Sequence, residues 1–196
     1  MNAYTENRVG LLGGTFNPIH LGHLGLAVNA KERFQLKSVY FIPAFISPNK
    51  REITGTNHKH RTNMIRLALE DNPNFELCEL EINRGGISYT IDTLKTLQTS
   101  DPHAKYFFLL GMDAFLDFGS WKSWRQILER SNILVATRPD VEMPQPEEAL
   151  KILFKGSDYN ELGRLVGLDF RTSQTLNIEE GPLFSVGAGG DKALNL

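Results

Sequence analysis

Apolar positions fall along the chain in two alternating spacings. Continuous apolar runs at Arg8 to Leu12, Ser38 to Ile42, Tyr106 to Leu110 and Asn132 to Ala136 have the length of strands covered on both faces. Between them, apolar residues recur at helical spacing: Leu21, Leu24, Ala27 and Val28 within Leu21 to Phe34, and Met64, Ile65, Leu67, Ala68 and Leu69 within Arg61 to Glu70. Asn72-Pro73 stops that second helix, Phe75 to Leu80 has strand character, and Tyr89 to Leu97 reads as a further short helix. Gly13 and Gly14 break the first strand, Pro43 ends the second, and Ala44 to Asn57 carries Pro48 and Gly55 and reads as loop. An aromatic segment, Phe115 to Trp124, lies between the last two apolar runs. Alternating strands and helices predict an α/β domain, a Rossmann-like open parallel sheet with helices on both faces.

Beyond residue 138 the pattern weakens. Pro139 to Pro146 is proline-rich, weak helical spacing runs from Glu147 to Phe154 and from Tyr159 to Val166, and Gly187 to Gly190 is followed by residues without the spacing of a docked helix. With 196 residues the chain is expected to form a single domain. No apolar run approaches the roughly 18 residues of a membrane span. The polar start, Met1 to Arg8, lacks the apolar core of a secretory signal, so a cytoplasmic protein is expected. The lone Cys78 forms no intrachain disulfide, in keeping with a reducing compartment. Twenty-one basic and 23 acidic residues give a net charge of −2, no drive toward nucleic acid. A phosphate ligand must therefore be held by a local site.

That site is read at Gly13-Gly14-Thr15-Phe16-Asn17-Pro18-Ile19-His20-Leu21-Gly22-His23. In open α/β sheets ligands bind beyond the carboxyl ends of strands, where amides at the start of the next helix face the crevice. Glycines let backbone approach a phosphate closely, and Gly22 is expected to admit a second backbone between the histidines. His20 and His23 can face one side and donate to an α-phosphate as charge builds. Zinc bound through them would need a third ligand at workable spacing, which is missing nearby. His58, Lys59 and His60 read as a solvated patch, His103 as a loop residue and Cys78 as packing.

This run resembles the nucleotidyltransferase superfamily with the His-x-Gly-His motif, and within it the bacterial nicotinate-nucleotide adenylyltransferases. Phe41-Ile42-Pro43 with Ser47-Pro48-Asn49-Lys50 is similar to the family's strand-two loop, usually Pro-Pro-His-Lys, so Lys50 matches while Ser47 and Asn49 depart. Arg61 with Met64, the segment Ile87 to Leu94, the stretch from Leu110-Gly111-Met112-Asp113 through Trp121 to Leu128, and Val135 to Pro139 resemble further family segments. The likeness covers about residues 8 to 140, leaving 141 to 196 divergent.

The resemblance implies a site. His20 and His23 would serve catalysis. Gly13, Gly14, Thr15, Phe16, Gly22, Lys50, Gly111 and Asp113 would bind ATP, Asp113 through ribose hydroxyls or hydrated magnesium. Tyr89 and Thr90 would receive the nicotinate carboxylate at a helix start, and Trp121 would lie against the pyridine ring. The implied substrates are ATP, with Mg²⁺, and nicotinate mononucleotide. The expected products are deamido-NAD and pyrophosphate. No metal held by the protein, no nucleic acid and no membrane are expected, and a homo-oligomer is left open. The family's Ile-Ser-Ser-Thr-x-Ile-Arg helix start corresponds here to Leu183-Phe184-Ser185-Val186-Gly187-Ala188-Gly189-Gly190, where only Ser185 matches. That departure keeps a catalytically silent nucleotide-binding homologue as an alternative. A phosphopantetheine-type adenylyltransferase is another, though these typically carry Thr at the position of His20. A fragment of a class I aminoacyl-tRNA synthetase is disfavoured by the short chain and the absent basic excess.

Overall fold

The computed structural model describes residues 7–48, 57–136, 166–171 and 183–188. It divides into two compact units, Met1–Phe107 and Phe108–Leu196.

In the first unit, β1 (Arg8–Gly14) buries Val9 to Leu12 and pairs in parallel with β2 (Ser38–Pro43), Leu11 opposite Tyr40 and Gly14 opposite Pro43. β2 pairs in parallel with the short β3 (Phe75–Leu77). Between β1 and β2 runs α1 (Leu21–Arg33), which has Lys31 and Arg33 in its last turn and no acid in its first, so the positive end of its dipole is left uncompensated by its own side chains. Helix α2 (His58–Leu69) starts three residues before the sequence pattern suggests, because Asn57 Oδ1 caps the Lys59 N–H at 2.9 Å.

The strand reading to Leu80 is corrected. β3 ends at Leu77, and Leu80 opens a five-residue helix, α3 (Leu80–Arg84), closed by Gly85 at φ 69°. Helix α4 (Thr90–Ser100) ends where Asp101 accepts from Asn7 Nδ2 at 2.7 Å and from the amides of His103 and Ala104. Leu11, Val39, Phe41, Ile65 and Leu94 are fully buried and form the apolar centre that carries these elements.

Strand β4 (Lys105–Gly111) begins in the first unit and ends in the second. The second unit continues with α5 (Met112–Leu116), a 3₁₀ turn (Phe118–Ser120), α6 (Trp124–Arg130) and β5 (Asn132–Ala136) around buried Phe115, Phe118, Ile127 and Leu134. Two strands that the sequence pattern did not suggest complete it: β6 (Val166–Arg171) and β7 (Leu183–Ala188). β7 pairs antiparallel with both β5 and β6. Val166, read as the end of a helical segment, thus begins a strand; the remainder of that segment and Glu147 to Phe154 lie outside the described residues. Parallel strands with helices make this the α/β architecture expected, with β6 and β7 as an antiparallel addition. Among the described residues no helix is long and apolar enough to cross a membrane.

Candidate functional site

The carboxyl end of β1 turns directly into the start of α1, and the turn is built on Phe16. Its φ is 49°, a left-handed conformation that disfavours a side chain bearing Cβ, yet its ring is 2% exposed. The ring packs 6.0 Å from Phe41 and 4.9 Å from His23. A Cβ on Gly14 would stand 3.4 Å from that ring, in ordinary contact with it. Phe16 is therefore the floor on which His23 rests, and its side chain is withdrawn from solvent.

His20 is the N-cap of α1 in extended conformation, and His23 sits in the first turn. Their rings lie 3.8 Å apart with 37° between planes. The backbone N–H of His20 donates to Nδ1 of His23 at 3.3 Å. A nitrogen that accepts carries no proton, which leaves the proton of the neutral ring on Nε2. Burial, and then the neighbouring His20, lower the His23 pKa from 6.5 to about 4. At neutral pH His23 is a neutral imidazole with one donor, Nε2–H. A Cβ on Gly22 would stand 3.2 Å from His20 Nδ1 and 3.3 Å from Cε1. This corrects the expected role of Gly22: it makes room for the His20 ring rather than for a second backbone.

Arg61 of α2 is 5% exposed, and burial lowers its pKa. Its Nη1 donates to the Thr15 carbonyl at 2.6 Å and its Nη2 to the Ala44 carbonyl at 2.8 Å, while the Ala44 N–H donates to the Gly14 carbonyl at 2.8 Å. The turn after β1 is thereby fastened to the residue after β2. The next two residues make the following link. Phe45 N–H donates to Ser88 Oγ at 2.9 Å, Ser88 N–H donates to the Ile46 carbonyl at 2.8 Å, and Ile46 bridges Ile87 in parallel. Ala44-Phe45-Ile46 thus ties Gly14 and Thr15 to the start of α4.

At that start Tyr89 is the N-cap with no side-chain cap bond; its N–H donates to the Ile87 carbonyl at 3.2 Å, its carbonyl accepts from the amides of Asp92 and Thr93, and Thr90 begins the helix. Beneath it Glu81 is 7% exposed. Burial raises its pKa, while hydrogen bonds from Thr93 and Ser88 and the charge of Arg84 oppose that rise.

The first unit therefore brings together Gly13, Gly14, Thr15, Phe16, His20, Gly22 and His23 on one turn, and connects it to Tyr89 and Thr90. Lys50 lies outside the described residues. In the second unit Gly111 caps α5, and a Cβ there would meet nothing within 4 Å, so packing does not demand glycine. Asp113 is exposed in the first turn of α5. Trp121 is half-buried against Phe118 at 5.3 Å and edge-on to Phe108 at 6.1 Å, with its Nε1 buried and without an acceptor. Among the described residues no group of three or more His, Cys, Asp or Glu could hold a metal ion.

Arg61, Glu81, Ser88 and Thr93 support the site without standing out by residue type. For Arg61, Ser88 and Thr93 the signal available was their place in stretches that resemble the family; Glu81 lies in none of those stretches.

Residues 11–168 match the cytidylyltransferase-like family model. The chain is 43% identical over 145 residues to the probable nicotinate-nucleotide adenylyltransferase of Geotalea uraniireducens, covering 74% of this chain and 67% of that protein. It is 46% identical over 132 residues to that of Geobacter metallireducens, covering 67% and 61%. Among solved structures, the Plasmodium falciparum nicotinic acid mononucleotide adenylyltransferase complexed with NaAD superposes with a TM-score of 0.64 at 21% identity, over 74% of this chain and 71% of that one. That structural likeness speaks for the fold, and the sequence matches speak for the family. The chain belongs to the cytidylyltransferase-like family and, within it, to the nicotinate-nucleotide adenylyltransferases.

Proposed function

We propose that the protein transfers the adenylyl group of ATP to the 5′-phosphate of nicotinate mononucleotide, giving deamido-NAD and pyrophosphate, in the cytoplasm. The observation that carries this reading is the paired imidazoles at the start of α1, with Nδ1 of His23 taken up as an acceptor and its proton left on Nε2. A phosphate oxygen of the mononucleotide attacks the α-phosphorus of ATP; that P–O bond forms as the bond to the β-phosphate oxygen breaks and pyrophosphate departs with the electron pair. No enzyme nucleophile is needed, so the protein's work is alignment and charge stabilisation.

His23 Nε2–H and His20 would donate to the non-bridging oxygens of the α-phosphate, in the way an oxyanion donor does. Amides at Gly13, Gly14, Thr15 and Gly22, with Lys50, would hold the triphosphate. Mg²⁺ would enter with ATP as part of the substrate and screen the charge of the departing pyrophosphate. Gly111 and Asp113 would contact the adenosine ribose. Thr90 and the amides at the start of α4 would receive the nicotinate carboxylate, and Trp121 would stack on the pyridine ring.

One observation favours a second reading. The family's phosphate-contacting helix start falls on Leu183 to Gly190, where β7 occupies 183–188. A protein that binds ATP without transferring its adenylyl group would fit that loss. Pyrophosphate release from MgATP with nicotinate mononucleotide, nicotinamide mononucleotide or phosphopantetheine distinguishes the readings. Release with the nicotinate substrate supports the proposal; calorimetric binding of ATP without release supports the silent homologue.

A further inference from the structure

The Glu81 carboxylate has no part in the adenylyl transfer described above, yet it is buried within the first unit and bears directly on one substrate. Thr93 Oγ1 donates to Glu81 Oε1 at 2.5 Å and accepts from Arg84 Nη2 at 3.2 Å, while Ser88 Oγ accepts from the Phe45 amide at 2.9 Å. Hydrogen bonds thus run from Arg84 through Thr93 to Glu81, which accepts the Thr93 hydroxyl proton.

Ser88 and Thr93 flank Tyr89 and Thr90, the N-cap and first residue of α4. We infer that Glu81 is a positioning residue for substrate choice: by anchoring Thr93, whose amide donates to the Tyr89 carbonyl at 3.3 Å, it holds the amides at the start of α4 in place for the carboxylate of the pyridine nucleotide. This rests on the proposal that those amides receive that carboxylate. A glutamine at 81 keeps the size of the side chain but replaces the carboxyl group by an uncharged amide whose NH₂ needs acceptors of its own in the same buried place. A valine at 93 keeps the shape of threonine and removes the hydroxyl, whereas serine keeps the hydroxyl.

The experiment compares steady-state kinetics of wild type, Glu81→Gln, Thr93→Val and Thr93→Ser with nicotinate mononucleotide, nicotinamide mononucleotide and ATP. Glu81→Gln and Thr93→Val are expected to raise KM for the nicotinate substrate about tenfold, the scale of one lost charge-assisted hydrogen bond, and to leave the KM for ATP within about twofold. Their preference for nicotinate over nicotinamide mononucleotide should narrow, and Thr93→Ser should restore wild-type values. Loss of packing alone would affect both substrates or neither. Equal changes in both KM values, no change in either, or failure of serine to outperform valine overturns the inference. Should Glu81→Gln not fold, the valine and serine pair decides. A wild type that turns over but shows no preference for the nicotinate substrate overturns the carboxylate reading itself, and the inference falls with it.

Discussion

The backbone N–H of His20 donates to Nδ1 of His23 at 3.3 Å, which leaves the proton of the neutral His23 ring on Nε2. Burial, against the Phe16 ring among others, and then the neighbouring His20 imidazole keep His23 uncharged down to a pH of about 4. Nitrogen-detected NMR titration should show the Nε2–H tautomer at neutral pH and a midpoint near 4. The same shift has a consequence for stability. Between pH 6.5 and about 4 the unfolded chain takes up a proton at His23 and the folded chain does not. Stability from this group is therefore complete above pH 6.5 and is lost as the pH falls through that window. Urea unfolding of wild type and His23→Gln should show a weaker acid dependence in the variant over that range, and equal slopes would contradict the assignment.

Gly22→Ala separates activity from stability. Alanine is favoured over glycine in a helix by about 1 kcal/mol, so thermal unfolding should stay level or shift upward. The added Cβ, 3.2 Å from His20 Nδ1, forces that ring to move. Turnover should fall by about tenfold, the scale of a misplaced catalytic group. Parallel measurement of kcat and unfolding temperature checks both halves.

Arg61→Met should destabilise the protein by about 3 kcal/mol, because it strips the half-buried Thr15 and the buried Ala44 carbonyls of their charged donor. Arg61→Lys can satisfy one of the two and should fall between. Denaturant unfolding orders the three proteins, and a methionine variant as stable as wild type would remove the strut described for this residue.

Ser185 is opposite Leu134 and Asp169 in β7, in a strand rather than at a helix start. Ser185→Ala should leave the KM for ATP within about twofold of wild type, since the residue stands inside β7 and not at the amino end of a helix. A rise of tenfold or more would restore the serine to the phosphate site.

Much of this was legible in the sequence for a local reason. Gly13-Gly14 after an apolar run and His20 ahead of a helical spacing are neighbours in the chain, so the strand, turn and helix follow from spacing alone. The link through Ala44, Phe45 and Ile46 was not, because hydrogen bonds between Phe45 and Ser88 join residues 43 positions apart. Burial of Arg61 and Glu81 was hidden as well. Charged residues read as solvated until tertiary structure supplies their partners. Leu80 was drawn into a strand by its apolar neighbours, whereas its place at the start of α3 is what buries Glu81. β7 escaped notice because Gly187 and Ala188 interrupt its apolar pattern, and its pairing with β5 joins stretches about 50 residues apart in sequence.

Initial rates of pyrophosphate release at saturating MgATP and nicotinate mononucleotide, for wild type and His23→Ala side by side, test the central claim most directly. The wild type should release pyrophosphate in step with dinucleotide formation, and the variant should lose at least about a hundredfold in kcat with a much smaller change in KM for ATP. A variant with near-normal kcat, or a wild type that binds both nucleotides and releases nothing, would contradict the account.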